Sequence, residues 1–151
     1  MRELVVTHDS SAGPEQVWSV LTDLDNAAVA ISAIEKVERL DGGGGFELGT
    51  TWRETRTMFG KKATEDMTVT ELEPGRSYTT EARSHGAHYL STNRVEPIEG
   101  GSRITVTFGA EPTSAISKVF AATIGRLFDN ATRKALAKDL TEIAAAAERS
   151  S

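Results

Sequence analysis

Residues 51–70 read TWRETRTMFGKKATEDMTVT, and their alternating side chains predict a β-hairpin. The glycine at position 60 permits a tight two-residue turn at Gly60-Lys61, which would place Arg56 opposite Glu65. In that register one face carries threonines and charged side chains typical of a solvent face, so the other face points inward. The inward face holds a mixed set of side chains: Trp52, Glu54, Arg56, Met58, Ala63, Glu65, Met67 and Val69.

The same reasoning extends across the strands that follow. Pro74-Gly75 and Gly86-Ala87 are predicted to form further tight turns. The Gly100-Gly101 loop then sets Val95 opposite Ile104. These registers add to the inward face Tyr78, Thr80, Ala82, Ser84, Tyr89, Ser91, Asn93, Val95, Ile104, Val106 and Phe108. A dry core rarely buries so many polar groups, so the inner face is predicted to line a partly wet ligand cavity.

The segments on either side of these hairpins complete an α+β pattern. Pro14 starts an amphipathic helix whose apolar spacing runs through Leu24, a short helix follows over 27–32, and a long helix covers 113–148. Strands are predicted over 3–9, 34–40, 50–59, 62–72, 76–85, 88–96 and 103–110. We therefore predict one domain over 1–148, a seven-stranded antiparallel curved sheet around the C-terminal helix, and a frayed tail at 149–151.

Composition excludes several kinds of site. The chain has 151 residues, a net charge of −5 and no cysteine, which rules out disulfides, thiolate metal sites and cysteine nucleophiles. His85 and His88 fall at a hairpin end and face outward in the predicted register, so neither a metal nor another cofactor is expected. The acidic balance argues against nucleic acid as a partner. No apolar run approaches the roughly 18–20 residues of a membrane span and no signal peptide is evident, so we expect a cytoplasmic protein without integral membrane association.

Two groups of residues give the chain a family likeness. Residues 11–23, SAGPEQVWSVLTD, resemble the opening of the helix-grip superfamily, and GTTWRE (49–54), VTELEP (69–74) and GSRIT (101–105) resemble its middle strands. This superfamily contains the START lipid-transfer domains, the birch-pollen-allergen-like proteins and the polyketide cyclase/dehydrase (SRPBCC) family. The resemblance implies a sheet wrapped round a long helix, two short helices after the first strand, and an enclosed hydrophobic cavity. Members bind lipids, sterols, polyketides or plant hormones, and some close aromatic rings or act as co-chaperones or assembly factors.

The candidate ligand-binding residues come from the inner face of the sheet and from the long helix. They are Trp52, Glu54, Arg56, Met58, Glu65, Met67, Tyr78, Thr80, Tyr89, Ser91, Asn93, Phe108, Phe120 and Ile124. Arg56 is predicted to bind a ligand carboxylate or to polarise a carbonyl, and Glu54 or Glu65 is the candidate acid/base. The alternative is a structural Arg56–Glu65 pair, in which each charge offsets the burial of the other.

Three functions remain open at this point. The first is binding, with or without transport, of a small hydrophobic molecule with a polar or acidic end, lipid-like or polyketide-like, in a cavity between the sheet and the C-terminal helix. The second is a polyketide cyclase, aromatase or dehydratase that uses a cavity carboxylate and no cofactor. The third is a protein-interaction or assembly factor, which would have a filled core and an exposed apolar patch. The sequence leaves open whether the chain forms a homodimer.

Overall fold

The chain folds into one antiparallel sheet with helices on its inner side. A computed structural model describes residues 2–58, 60–84, 87–112 and 115–150, with side chains at 3–57, 60–83, 88–111 and 129–150. The elements are β1 (Arg2–Ser10), α1 (Pro14–Leu21), α2 (Ala27–Ala30), β2 (Ile34–Arg39), β3 (Thr51–Met58), β4 (Lys61–Glu73), β5 (Ser77–Ser84), β6 (Ala87–Ile98), β7 (Gly101–Pro112) and α3 (Ala115–Arg149). The seven strands lie in the order β1-β7-β6-β5-β4-β3-β2. This arrangement confirms the predicted α+β helix-grip fold.

The first helix begins as predicted and ends earlier. Pro14 occupies the first turn of α1, where its missing N–H breaks no hydrogen bond. The predicted continuation of this helix through Leu24 is wrong, because Asp23 accepts hydrogen bonds from the backbone and side-chain N–H groups of Asn26. Those bonds cap a separate 3₁₀ turn, in which Leu24 is still buried. The second helix, α2, is also shorter than the predicted 27–32.

The β3–β4 hairpin keeps the predicted faces but not the predicted register. Glu54 lies opposite Glu65, and Arg56 lies opposite Ala63. The predicted pairing of Arg56 with Glu65, which assumed a turn at Gly60-Lys61, is therefore wrong by two residues. Because side chains on a strand alternate with a period of two, a two-residue slip leaves each side chain on its predicted face.

The β4–β5 connection also differs, and a β-bulge compensates for the difference. The loop is Pro74–Arg76, one residue longer than the predicted Pro74-Gly75 turn. The register then shifts between Val69 and Glu71, which brings Val69 opposite Thr80. The inner face therefore continues without a break from β4 to β5.

The last two hairpins give one correction and one confirmation. Arg83 pairs with His88, so the register predicted from a Gly86-Ala87 turn is wrong by two residues, again with the faces kept. The predicted pairing of Val95 with Ile104 is confirmed. His85 lies outside the described residues.

The core lies between the inner face of the sheet, α1 and the last part of α3. Ile104 and Val17 have no exposed surface, and Leu140 is 1 % exposed. The apolar stripe of α3 faces this core with Leu136, Leu140, Ile143, Ala144 and Ala147. This end of the molecule is therefore closed by packing.

Candidate functional site

The inner face of the sheet has a closed part and a more open part. Trp52 and Tyr78 are buried in the core cluster. Toward the end of the sheet where β6 begins and β7 ends, Tyr89, Ser91 and Phe108 are only half-buried. The long helix α3 starts at this same end, directly after β7. We refer to Tyr89, Ser91 and Phe108 as the open part of the inner face.

The predicted ligand residues are brought together on this inner face. Those with described side chains are Trp52, Glu54, Arg56, Glu65, Met67, Tyr78, Thr80, Tyr89, Ser91, Asn93 and Phe108. Met58, Phe120 and Ile124 lie outside the residues whose side chains are described.

Tyr78 is part of the packed core. It is 8 % exposed, and its hydroxyl donates to the backbone carbonyl of Leu21 at 3.3 Å. The ring of Trp18 meets it edge-on, with 5.9 Å between the ring centroids. Burial raises the pKa of the Tyr78 hydroxyl, and the negative charge of Glu54 raises it further while Arg56 opposes the rise. Tyr78 is therefore a protonated, hydrogen-bonded packing residue.

A group of three charges, two buried carboxylates and a half-buried guanidinium, joins the sheet to the last helix. Arg56 Nε donates to Glu54 Oε2 at 2.8 Å, and Arg56 Nη1 donates to Asp139 Oδ2 at 2.8 Å. The other Glu54 oxygen accepts from Trp52 Nε1 at 3.2 Å. Glu54 and Asp139 are 9 % and 8 % exposed. We refer to Glu54, Arg56 and Asp139 as the charged triad.

The triad contains two carboxylates for one guanidinium. Burial alone would lower the pKa of Arg56, but Asp139 and Glu54 more than offset burial, so this pKa is raised and Arg56 stays charged. Burial raises the pKa of Asp139, and Arg56 opposes that rise only in part. Because the guanidinium is shared with Glu54, Asp139 is incompletely compensated.

Two buried polar residues of α3 are not among the predicted site residues. Asp139 and Thr132 both lie on the inward side of the helix, and Thr132 is 4 % exposed. Within the described ranges, Asp139 Oδ1 and Thr132 Oγ1 are buried and have no hydrogen-bond partner. Buried polar atoms without partners are rare in folded proteins. The sequence does contain a signal for them: Thr132 and Asp139 are two helical turns apart, on the apolar stripe that carries Leu136 and Leu140, which predicts that both are buried.

The open part of the inner face combines aromatic surface with a hydroxyl donor. The rings of Tyr89 and Phe108 are stacked, with 5.9 Å between their centroids and 24° between their planes. Burial raises the pKa of the Tyr89 hydroxyl, and the charge of Glu65 raises it further. Tyr89 therefore remains a neutral hydrogen-bond donor over the physiological pH range.

The histidine of β6 is engaged by a carboxylate on the outer face of the sheet. His88 faces outward, and its Nε2 lies 2.6 Å from Glu81 Oε1. Among the residues that the structure describes, no group of three or more His, Cys, Asp or Glu side chains could hold a metal ion. No helix in the described segments is long and apolar enough to cross a membrane.

Solved structures of the same fold are numerous. The chain is similar to the protein TTHA0849 from Thermus thermophilus, with a TM-score of 0.81, 19 % identity and 99 % of each chain covered. It is similar to the Zhui aromatase/cyclase from Streptomyces sp. R1128, with a TM-score of 0.80, 19 % identity, and 98 % of this chain and 94 % of that chain covered. For the major latex-like protein 151 from Panax ginseng the TM-score is 0.76, the identity 12 % and the coverage 95 % of each chain. At these identities the likeness establishes the fold alone.

The family follows from the sequence. A comparison with curated proteins found no match. The model of the family described as polyketide cyclase / dehydrase and lipid transport matches residues 1–148. Because this match covers nearly the whole chain, the protein belongs to the polyketide cyclase/dehydrase and lipid transport family, as its motifs predicted.

Proposed function

We propose that the protein binds a small hydrophobic molecule, lipid-like or polyketide-like, between the inner face of the sheet and α3. The observation that carries this proposal is the open part of the inner face, where Tyr89, Ser91 and Phe108 are only half-buried and the two aromatic rings are stacked. Ligand pockets have this composition, mostly apolar with a few polar groups that fix orientation. Membership of the family supports hydrophobic-ligand binding in general.

The binding energy would come from apolar contact, and the polar groups would select the orientation. Each Å² of apolar surface removed from water contributes about 25 cal/mol. The neutral Tyr89 hydroxyl offers a donor at the edge of its ring, so a ligand acceptor placed next to that hydroxyl would gain a hydrogen bond as well.

We expect a bulky side chain at Ser91 to displace the ligand. Ser91 lies on the inner face of β6, whereas its neighbour Leu90 lies on the outer face. Ser91→Phe should therefore weaken binding about tenfold or more, and Leu90→Phe should not. Intact mass under native and denaturing conditions measures this: the wild type and Leu90→Phe should carry an extra mass only in the native spectrum, and Ser91→Phe should lack it.

The folding of the variants provides the control. If the space beside Ser91 is a cavity, Ser91→Phe fills it and keeps the wild-type thermal stability. If the space is a filled core, the same change overpacks it and costs about 1–3 kcal/mol. Overpacking, or an equal ligand mass in both phenylalanine variants, would contradict the proposed site.

A second candidate function, cyclase or dehydratase, is supported by the electrostatic influence of Glu65 on Tyr89. The negative charge of Glu65 raises the pKa of the Tyr89 hydroxyl, so a carboxylate and a protonated phenol share the inner face. In a dehydration, Glu65 would take a proton from the carbon next to a carbonyl, and Tyr89 would protonate the departing hydroxyl so that water leaves. Glu54 is less suited to this role, because Trp52 and Arg56 engage both of its oxygens.

Substitution of Glu65 separates the two candidate functions. Glu65→Gln keeps the shape of the side chain and removes the base, so it should retain the ligand recovered from the native protein. If the protein is an enzyme, turnover of that ligand should fall about a hundredfold or more. Product analysis by chromatography checks this, and unchanged turnover would exclude Glu65 as the base.

A further inference from the structure

The charged triad leaves one buried oxygen without a partner. Asp139 Oδ2 accepts from Arg56, whereas Asp139 Oδ1 is buried and accepts nothing within the described part of the chain. An unpaired buried acceptor loses its hydration without compensation, which is unfavourable in the ligand-free protein. The Oδ1 atom is therefore suited to accept a hydrogen bond from a molecule that enters the protein.

The surroundings of Asp139 select the charge of such a molecule. Arg56 is already engaged by Glu54 and Asp139, so its positive charge is more than balanced. Glu142 is a further negative group that acts on Asp139. A ligand carboxylate at this point would add a negative charge to a buried group that already holds more carboxylates than cations.

From this geometry we infer that the ligand presents a neutral hydroxyl, as an alcohol or a phenol, to Asp139 Oδ1, and that an acidic end group is disfavoured. The inference rests on the proposed function and extends the proposed site along the inner face of the sheet to the charged triad. A hydroxyl supplies the missing donor without adding charge. Thr132 Oγ1, the other unpaired buried oxygen of α3, lies two helical turns away on the same side and can pair with a second hydroxyl.

Three naphthalene probes of nearly equal apolar surface test the inference. We would titrate the wild-type protein calorimetrically with naphthalene, 2-naphthol and 2-naphthoate at neutral pH, where the naphthol is neutral and the naphthoate is an anion. A hydrogen bond to a charged acceptor is expected to make 2-naphthol bind about tenfold more tightly than 2-naphthoate.

The Asp139→Asn variant converts the acceptor into a donor. Its amide oxygen can still accept from Arg56, and its amide N–H₂ then replaces Oδ1. The preference for 2-naphthol over 2-naphthoate should therefore fall by about tenfold or reverse. Asp66→Asn, an equal change at the exposed partner of Arg53, is the control and should keep the wild-type preference.

The outcomes separate the inference from the proposed function. Equal or tighter binding of 2-naphthoate by the wild type overturns the inference, as does an unchanged preference in folded Asp139→Asn. If Asp139→Asn does not fold, the binding of 2-naphthol against 2-naphthoate by the wild type is sufficient to test the inference. If no probe binds, naphthalene included, the proposed function fails together with the inference.

Discussion

Replacement of Arg56 by methionine is expected to lower the free energy of unfolding by about 3–5 kcal/mol at neutral pH. The change keeps an unbranched side chain about as long as the aliphatic stem of arginine but leaves Glu54 and Asp139 buried without their shared cation. Removal of one partner from a buried ion group is much more destabilising than loss of an exposed pair, because the remaining charges cannot be solvated.

Urea unfolding of two matched variants measures this effect. Arg53 lies on the same strand with its side chain on the outer face, and its partner Asp66 is half exposed. Arg53→Met should change stability little, since an exposed pair is screened by water. A loss in Arg56→Met no larger than that in Arg53→Met would contradict the structural role of the charged triad.

The pH dependence of the Arg56→Met variant has a definite sign. Without the guanidinium, nothing opposes the effect of burial, so the pKa of Asp139 should rise further above its ordinary value of 3.8. The folded variant then holds more protons than the unfolded chain over this interval, and its stability falls as the pH rises through it. The loss in the free energy of unfolding should be largest at neutral pH and smaller at mildly acidic pH.

Neutralising both carboxylates in the Arg56→Met background, with Glu54→Gln and Asp139→Asn, should also recover most of the lost stability.

The inner face of the sheet could be predicted because strand side chains alternate strictly. The turns after β3 and β5 were each misplaced by an amount that moved the register by two residues, which changes partners but not faces. The longer Pro74–Arg76 loop was offset by the bulge beside Val69. The prediction of which residues face inward is therefore correct despite three wrong turns, whereas the predicted pairing of Arg56 with Glu65 is wrong.

The triad could not be predicted because its third member is distant in the sequence. Asp139 lies 83 residues from Arg56, and no local periodicity relates a strand residue to one turn of a later helix. Hairpin geometry relates Arg56 only to residues on the neighbouring strand, such as Glu65, so a partner on that strand is what the sequence predicts. The actual partner depends on how α3 lies across the curved sheet, which is a property of the assembled fold.

Substitution of Gly101 by alanine is expected to destabilise the protein by about 3 kcal/mol, at the upper end of the usual effect of overpacking. A Cβ atom at Gly101 would overlap the carbonyl oxygen of Ser10 and lie 2.9 Å from the Ser11 Cα, and both are backbone atoms that cannot rotate away. The close contact occurs where β7 begins beside the corner between β1 and α1. For a chain of this length, 3 kcal/mol corresponds to a fall of about 10 °C in the melting temperature.

Two other glycines separate this steric effect from backbone strain. Gly45→Ala meets no atom within 4 Å and needs no left-handed conformation, so it should be nearly neutral. Gly100→Ala also meets no atom, but its φ of +83° should cost about 1–2 kcal/mol. The melting temperature should therefore be highest for Gly45→Ala, lower for Gly100→Ala and lowest for Gly101→Ala. A Gly101 variant as stable as the Gly45 variant would contradict the close packing of the corner.

This corner also connects the first helix to the end of the last one. Ser102 Oγ donates to the Ala12 carbonyl at 2.7 Å, and Ser10 Oγ donates to Glu148 Oε2 at 2.7 Å. A Cβ at Gly101 would push this hydrogen-bonded corner away from β7, far along the sheet from the open part of the inner face. The Gly101 variant should thus lose stability without losing the ligand preference expected of the wild type, because the packed end of the core and the proposed binding end are built from different residues.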